Sequence, residues 1–345
     1  MEGLQGDVVM SGYRGRKVAV TGADGFIGSH VVEALVAAGA SVQALACYNS
    51  FDSAGWLDDL NADVRANVSI IRGDIRDAGQ MQRFLSGADT CFHLAALIAI
   101  PFSYDAPSSY VDVNVRGTLN VLEAARSNGT RRVIHTSTSE VYGTALVEPM
   151  DETHPLQGQS PYSASKIGAD MMAESYARSF GLEVMTLRPF NTFGPRQSER
   201  AVIGSTVRQA LDPACSVIEI GDRTPRRDFT FVEDTAAAFL AMGLSDKVEA
   251  GQVYNGGTGR SVTIGETVDA IARLSGTNKP VVEKADRMRP PNSEVRALIA
   301  RHDKLTAATG WMPETSLEAG IERTIDWWRA RIAAGRVRSG SGYMV

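Results

Sequence analysis

Short apolar runs alternate with helix-period segments through the first half of the chain. "KVAVT" (17–21), "SVQALA" (41–46), "VSIIRG" (68–73), "DTCFHLAA" (89–96), "RRVIHTS" (131–137) and "LEVMTLRP" (182–189) read as buried strands. Between them, "FIGSHVVEALVAAG" (26–39) predicts a helix stopped by Gly39, and "SYVDVNVRGTLNVLEAARSNG" (109–129) an amphipathic one. "SPYSASKIGADMMAESYARSFG" (160–181) predicts a long helix with Ser160 as N-cap, Pro161 at its first position and Gly181 at its end. This alternation predicts an α/β fold, a doubly wound parallel sheet with helices on both faces. The domain is expected to run over 16–190, with a later return over about 228–260. From 191 to 335 the elements shorten and arginines cluster at 223–227 and 287–289, which predicts a smaller C-terminal lobe. Residues 1–15 and 336–345 read as loosely held ends.

Composition narrows the function. A net charge of -5 supplies no dense basic stripe and argues against a general nucleic-acid binder. It leaves room for anionic small molecules, which need only a few cations and backbone N–H groups. Cys47, Cys91 and Cys215 form no C-x-x-C pair, so neither a disulfide framework nor a metal site is expected, and a reducing cytoplasm suits the count. The start "MEGLQGDVVMSGYRG" lacks the charged and apolar regions of a signal peptide, and no run is long enough to span a bilayer.

"VTGADGFIGSH" sets Gly22, Gly25 and Gly28 between the first strand and the first helix. Three glycines can be no more than a turn, and their spacing departs from G-x-G-x-x-G. Their place directly after an N-terminal strand favours a Rossmann-type site, where N–H groups at a helix start approach a pyrophosphate. At the end of the second strand an acid would mark NAD and an arginine NADP; Cys47, Tyr48 and Asn49 stand there instead. The missing cation favours NAD and leaves NADP open. Asp74 could hold the adenine side or cap a helix.

Tyr162 and Lys166 lie four residues apart in "YSASK", on one helix face. A phenol with an ordinary pKa of about 10 is a poor base at neutral pH. A neighbouring ammonium and a cationic nicotinamide would both favour the phenolate, which could then deprotonate an alcohol during its oxidation. The pair alone is weak; the glycine loop, the hydroxyl-rich "HTSTSEVYG" (135–143) and this helix in that order make it specific.

The chain resembles the extended short-chain dehydrogenase/reductases that act on nucleotide sugars. The likeness is carried by "TGADGFIGSH", "HLAA", "NVRGTLNVLEAA", "YSASK", "RPFNTFGPRQ" and "RRDFTFVEDTAAAF", and runs on to "GWMPETSLEAGIERTIDWW". It implies NAD held by Gly22, Gly25, Phe26, Ile27, Gly28, Asn49, Asp74, Ile75, Leu94, Ala95, Ala96, Tyr162 and Lys166. It makes Thr138 a third catalytic residue that holds the reacting sugar oxygen against Tyr162. "Thr-Ser-Glu" at 138–140 is similar to the 4,6-dehydratases acting on GDP-mannose, whereas epimerases typically have no carboxylate there.

Oxidation at C4 makes the C5 proton acidic, and Glu140 is the candidate base that removes it. Glu140 as an acid, or Ser139 as a relay, would protonate the departing 6-hydroxyl; the alternative is that Glu140 only caps a turn. UDP-glucuronate decarboxylases share "TSEVYG", so decarboxylation stays an alternative, as does 4-epimerisation; a non-catalytic regulator is the weakest reading. The stretches at 48–60, 93–120 and 154–170 resemble dehydratases of legionaminic-acid-type pathways, which implies a UDP- or GDP-linked N-acetylglucosamine. Ile98 and Pro101 would line the sugar site, and Asn191, Arg227 and Arg289 would hold the pyrophosphate, although Arg289 reads equally as a surface arginine. Arg196 is a weaker candidate. The family commonly forms homodimers, here through helices 107–127 and 160–180.

Overall fold

Each of the six apolar runs becomes a strand of one sheet in a computed structural model that describes residues 12–288, 290 and 293–337. The strands are β1 (Lys17–Thr21), β2 (Ser41–Cys47), β3 (Val68–Gly73), β4 (Thr90–His93), β5 (Arg132–Thr136) and β6 (Val184–Pro189). A seventh, β7 (Val253–Gly256), joins beside β6. The order is β7-β6-β5-β4-β1-β2-β3, with every pair parallel. Chain direction across the sheet reverses between β1 and β4, and ligands of such sheets bind at the strand ends beside that reversal.

Helices cover both faces because the strands are apolar on both sides. On one face α1 (Phe26–Ala37) and α6 (Val232–Leu244) bury Val31, Leu35 and Phe239 against Val20 and Phe92. On the other, α2 (Ala78–Phe84), α3 (Gly117–Asn128) and α4 (Pro161–Phe180) bury Met81, Val121 and Ala173 against Ala19 and Val133. A separate core joins α5 (Val202–Leu211), α7 (Ile264–Ser275) and α8 (Leu317–Ala333) through Val207, Ile271, Ile325 and Trp328.

Three local outcomes differ from the sequence expectation. The strand expected over 89–96 ends at His93, so Leu94, Ala95 and Ala96 form a loop at the carboxyl end of the central strand β4. The helix expected over 109–129 carries a π-helical turn at Val111–Arg116, a widening that recurs at functional sites. Residues 1–11 and 338–345 lie outside the described residues. The last part of the expected N-terminal extension is nonetheless fixed: Tyr13 is fully buried and its hydroxyl donates to Leu240 O at 2.8 Å.

Candidate active site

The glycine loop leaves β1 through Gly22, whose φ of +66° favours glycine; a Cβ there would come within 2.6 Å of Ala95 N. At Gly28 a Cβ would lie 2.1 Å from Gly22 O, so the loop folds onto the first turn of α1 only without side chains. Gly25 is the N-cap of α1, with no side-chain cap and no acid in the first turn. A 12-residue helix therefore presents its N-terminal N–H groups, next to Phe26 and Ile27, at the sheet's switch point. That cradle fits the pyrophosphate of a dinucleotide.

Two other expected cofactor contacts turn inward on their own loops. Asn49 donates to Cys47 O and Ser53 O and accepts from Phe51 N and Ser53 N, which uses the whole amide in the 47–53 turn. Asp74 is engaged by the guanidinium of Arg76, which holds its carboxyl below the usual range, and Asp77 rather than Asp74 caps α2. Ile75 is buried in the core below that turn.

Thr138 follows β5 in extended conformation and caps the short turn Ser139–Tyr142, its hydroxyl accepting from Glu140 N at 3.2 Å. Ser139 is buried and Glu140 half-buried. Opposite them, Tyr162 stands in the first turn of α4. Ser160 and Ser163 close a reciprocal capping box that fixes this helix start. Leu97, Ile100 and Tyr110 pack around the phenol ring, with Tyr110 edge-on at 6.3 Å between centroids. Burial pushes the Tyr162 hydroxyl well above its ordinary pKa; a hydrogen bond with Thr138 opposes this, and the charge of Glu140 adds to it. Thr138, Tyr162 and Glu140 are thus brought together.

Lys166 stands one turn further along the same face of α4. Burial lowers its pKa to about 8, with Asp170 resisting, and its ammonium donates to Thr136 O at 2.5 Å, at the end of β5. Ile98 is exposed and Pro101 half-buried on the segment that packs beside Tyr162. Asn191 follows the end of β6 and pairs with Phe229, and its buried Oδ1 has no partner among the described residues. Arg227 is buried and donates to Glu294 at 2.8 Å, so this cation is already compensated. Arg196, at φ +71°, pairs with Glu33 of α1 at 2.7 Å. Arg289 lies outside the described residues.

Sequence reasoning missed the polar frame beneath these groups. Asn114, in the π turn, accepts from Leu97 N at 2.8 Å and donates to Leu97 O and to Ser165 Oγ at 2.9 Å, clamping the segment that follows β4 to α4. Asp170, one turn beyond Lys166, accepts from His135 Nε2 (3.1 Å), Ser137 Oγ (2.7 Å) and Arg188 Nη2 (2.9 Å). Burial alone would raise its pKa, but the His135 hydrogen bond and the charges of Arg188 and Lys166 hold it at about 2. Burial keeps His135 neutral, with the proton on Nε2 that Asp170 requires. Arg188 passes the network on to Tyr142 and Asn255.

Asp170→Ala would leave the buried Arg188 guanidinium without its carboxylate. The expected loss is about 3–5 kcal/mol, read as a lower urea midpoint. Because the folded-state pKa is depressed, the carboxylate's contribution is complete above its ordinary range near 4 and is lost as pH falls towards about 2. Acid titration of wild type should show that decline, and the variant should lack it.

Comparison with known proteins agrees with this geometry. The family model described as GDP-mannose 4,6 dehydratase matches residues 19–324. The dTDP-glucose 4,6-dehydratase of Actinoplanes sp. is 33% identical over 91% of this chain and 98% of its own. The UDP-glucose 4-epimerase of Mycolicibacterium smegmatis is 32% identical, again over 91% and 98%. The solved dTDP-glucose 4,6-dehydratase of Streptomyces venezuelae, with NAD bound, superposes with a TM-score of 0.81 at 29% identity, over 92% of this chain and 98% of that one. Among the described residues, no helix is long and apolar enough to cross a membrane. The chain belongs to the extended short-chain dehydrogenase/reductase family, among its NAD-dependent nucleotide-sugar dehydratases and epimerases.

Proposed function

We propose that the protein is a 4,6-dehydratase of a nucleotide-linked N-acetylglucosamine, giving the 4-keto-6-deoxy sugar. The observation that carries the reading against 4-epimerisation is Glu140, a half-buried carboxylate in the turn that Thr138 caps, close to Tyr162; against decarboxylation, the reading rests on the sequence around Tyr162. A reaction confined to C4 has no use for a second base beside the phenol; elimination across C5–C6 does.

Thr138 orients the 4-hydroxyl, and Tyr162 takes its proton as C4 is oxidised. When bound, NAD supplies the hydride acceptor at C4, the donor at C6 and a positive ring beside the phenol. Lys166 contributes a buried cation on the same helix face as Tyr162. Glu140 then removes the C5 proton, made acidic by the 4-keto group, and the 6-hydroxyl leaves as water after protonation by Glu140 or through Ser139. Reduction at C6 leaves an enolate that takes a solvent-derived proton at C5 through Glu140, which completes a redox-neutral conversion whose net change is loss of one water.

Asn191 and Arg227 are the proposed pyrophosphate contacts, the latter exchanging part of its pairing with Glu294 for the ligand. The N-acetyl sugar rests on the resemblance of 48–60, 93–120 and 154–170 to amino-sugar dehydratases. Exposed Val111 and Met171, on the two segments expected to pair, support a homodimer.

Mass spectrometry after separate incubation with UDP- and GDP-N-acetylglucosamine tests this reading. One substrate should lose the mass of water. An isobaric product would favour the 4-epimerase that the epimerase relatives suggest, and loss of carbon dioxide from a UDP-uronate the decarboxylase.

A further inference from the structure

The adenosine ribose of a dinucleotide reaches the end of β2, where Cys47, Tyr48 and Asn49 supply no acid. The fold brings one there from elsewhere. Asp24, between Gly22 and Gly25 of the glycine loop, directs its carboxylate to the strand's last residue, accepting from Cys47 N at 3.0 Å. Its backbone is held on both sides: Ala23 N donates to Leu45 O at 3.2 Å, and Trp56 N donates to Asp24 O at 3.0 Å. The 54–56 segment folds so closely over Asp24 that a Cβ at Gly55 would lie 2.4 Å from Asp24 O.

The neighbouring groups compensate this acid only in part. Asn49 is consumed by its own loop. Arg72, on β3, lies near enough to act on the carboxylate, yet its guanidinium donates to Ser53 O (2.6 Å), Asp52 O (2.7 Å) and Asp52 Oδ1 (3.3 Å). Among the described residues Asp24 forms no salt bridge. Burial raises its pKa, opposed by the backbone N–H groups of Cys47 and Asp24 and by the charge of Arg72.

We propose that Asp24 is the residue that reads the cofactor's adenosine ribose, accepting from its hydroxyls and turning away a 2′-phosphate by like charge. The acid thus comes from the glycine loop rather than from the strand end, and the chain selects NAD over NADP through it. This inference depends on the cofactor class alone and is independent of which sugar reaction follows.

Equilibrium titration of the full chain with NADH and with NADPH, followed by protein fluorescence, tests it. Wild type should bind NADH about a hundredfold more tightly than NADPH. Asp24→Asn keeps an acceptor for Cys47 N but loses the charge; it should weaken NADH about tenfold and bring the two affinities within about tenfold. Asp24→Ala should show the same collapse of preference, and if it fails to fold the Asn variant decides. An unchanged NADH affinity and preference in Asp24→Asn overturns the proposal. So does equal weakening of both nucleotides, which would make Asp24 a loop cap, and so does wild-type binding of NADPH as tight as NADH, which would make Arg72 a phosphate contact.

Discussion

Tyr162→Phe should lower turnover about 10³-fold, and the loss should appear already in the first oxidation. The variant keeps the ring that packs against Tyr110, Ile100 and Leu97, so the site retains its shape. It loses only the hydroxyl that bonds Thr138, which costs about 1 kcal/mol of stability. Mixing the variant with substrate should therefore give no burst of reduced nicotinamide absorbance, with the melting temperature nearly unchanged. A variant that forms reduced cofactor at the normal rate would remove Tyr162 from the role of base.

Glu140→Gln should divide the reaction at its second step. The turn survives, because Thr138 caps it through the backbone N–H of residue 140. The first oxidation should not slow, since the Glu140 charge is one of the influences that oppose ionisation of Tyr162. Removal of the C5 proton should slow about 10²- to 10⁴-fold. The 4-keto sugar and reduced cofactor would then accumulate, observed as an absorbance rise that does not decay. Normal turnover by this variant would reduce Glu140 to the turn-capping role its sequence position also allows.

Much of the fold was legible because it follows from periodicity. The apolar runs at 17–21 and 68–73 coincide with β1 and β3, and Ser160 and Gly181 bound α4 as their types suggest. The grouping of Thr138, Glu140 and Tyr162 was legible for a related reason: these residues of the candidate site lie in two short motifs at the end of a strand and the start of a helix. What stayed hidden depends on where distant elements meet. Asp24 is read as a turn residue until β2 is seen ending against it. His135, Asp170 and Arg188 look like isolated polar residues on three elements, and only parallel pairing of β5 with β6 beneath α4 makes them one network.

Spacing leaves open where a polar group on a shared face is directed. Lys166 shares a helix face with Tyr162, yet its ammonium reaches the backbone at Thr136. Residues 109–129 carry an ordinary amphipathic pattern, which does not register the π turn that aims Asn114 at Leu97 and Ser165. A hydrophobic period reports which face is buried; it is silent on the partners of a polar group within that face.

Elimination at C5 is the central claim, and turnover in deuterated water reads it directly. Wild type acting on UDP- or GDP-N-acetylglucosamine, the proposed substrates, should give a product that has lost one water and carries solvent deuterium at C5, located by proton NMR. A product of unchanged mass, or one that has lost water with its C5 position free of solvent deuterium, would contradict the account.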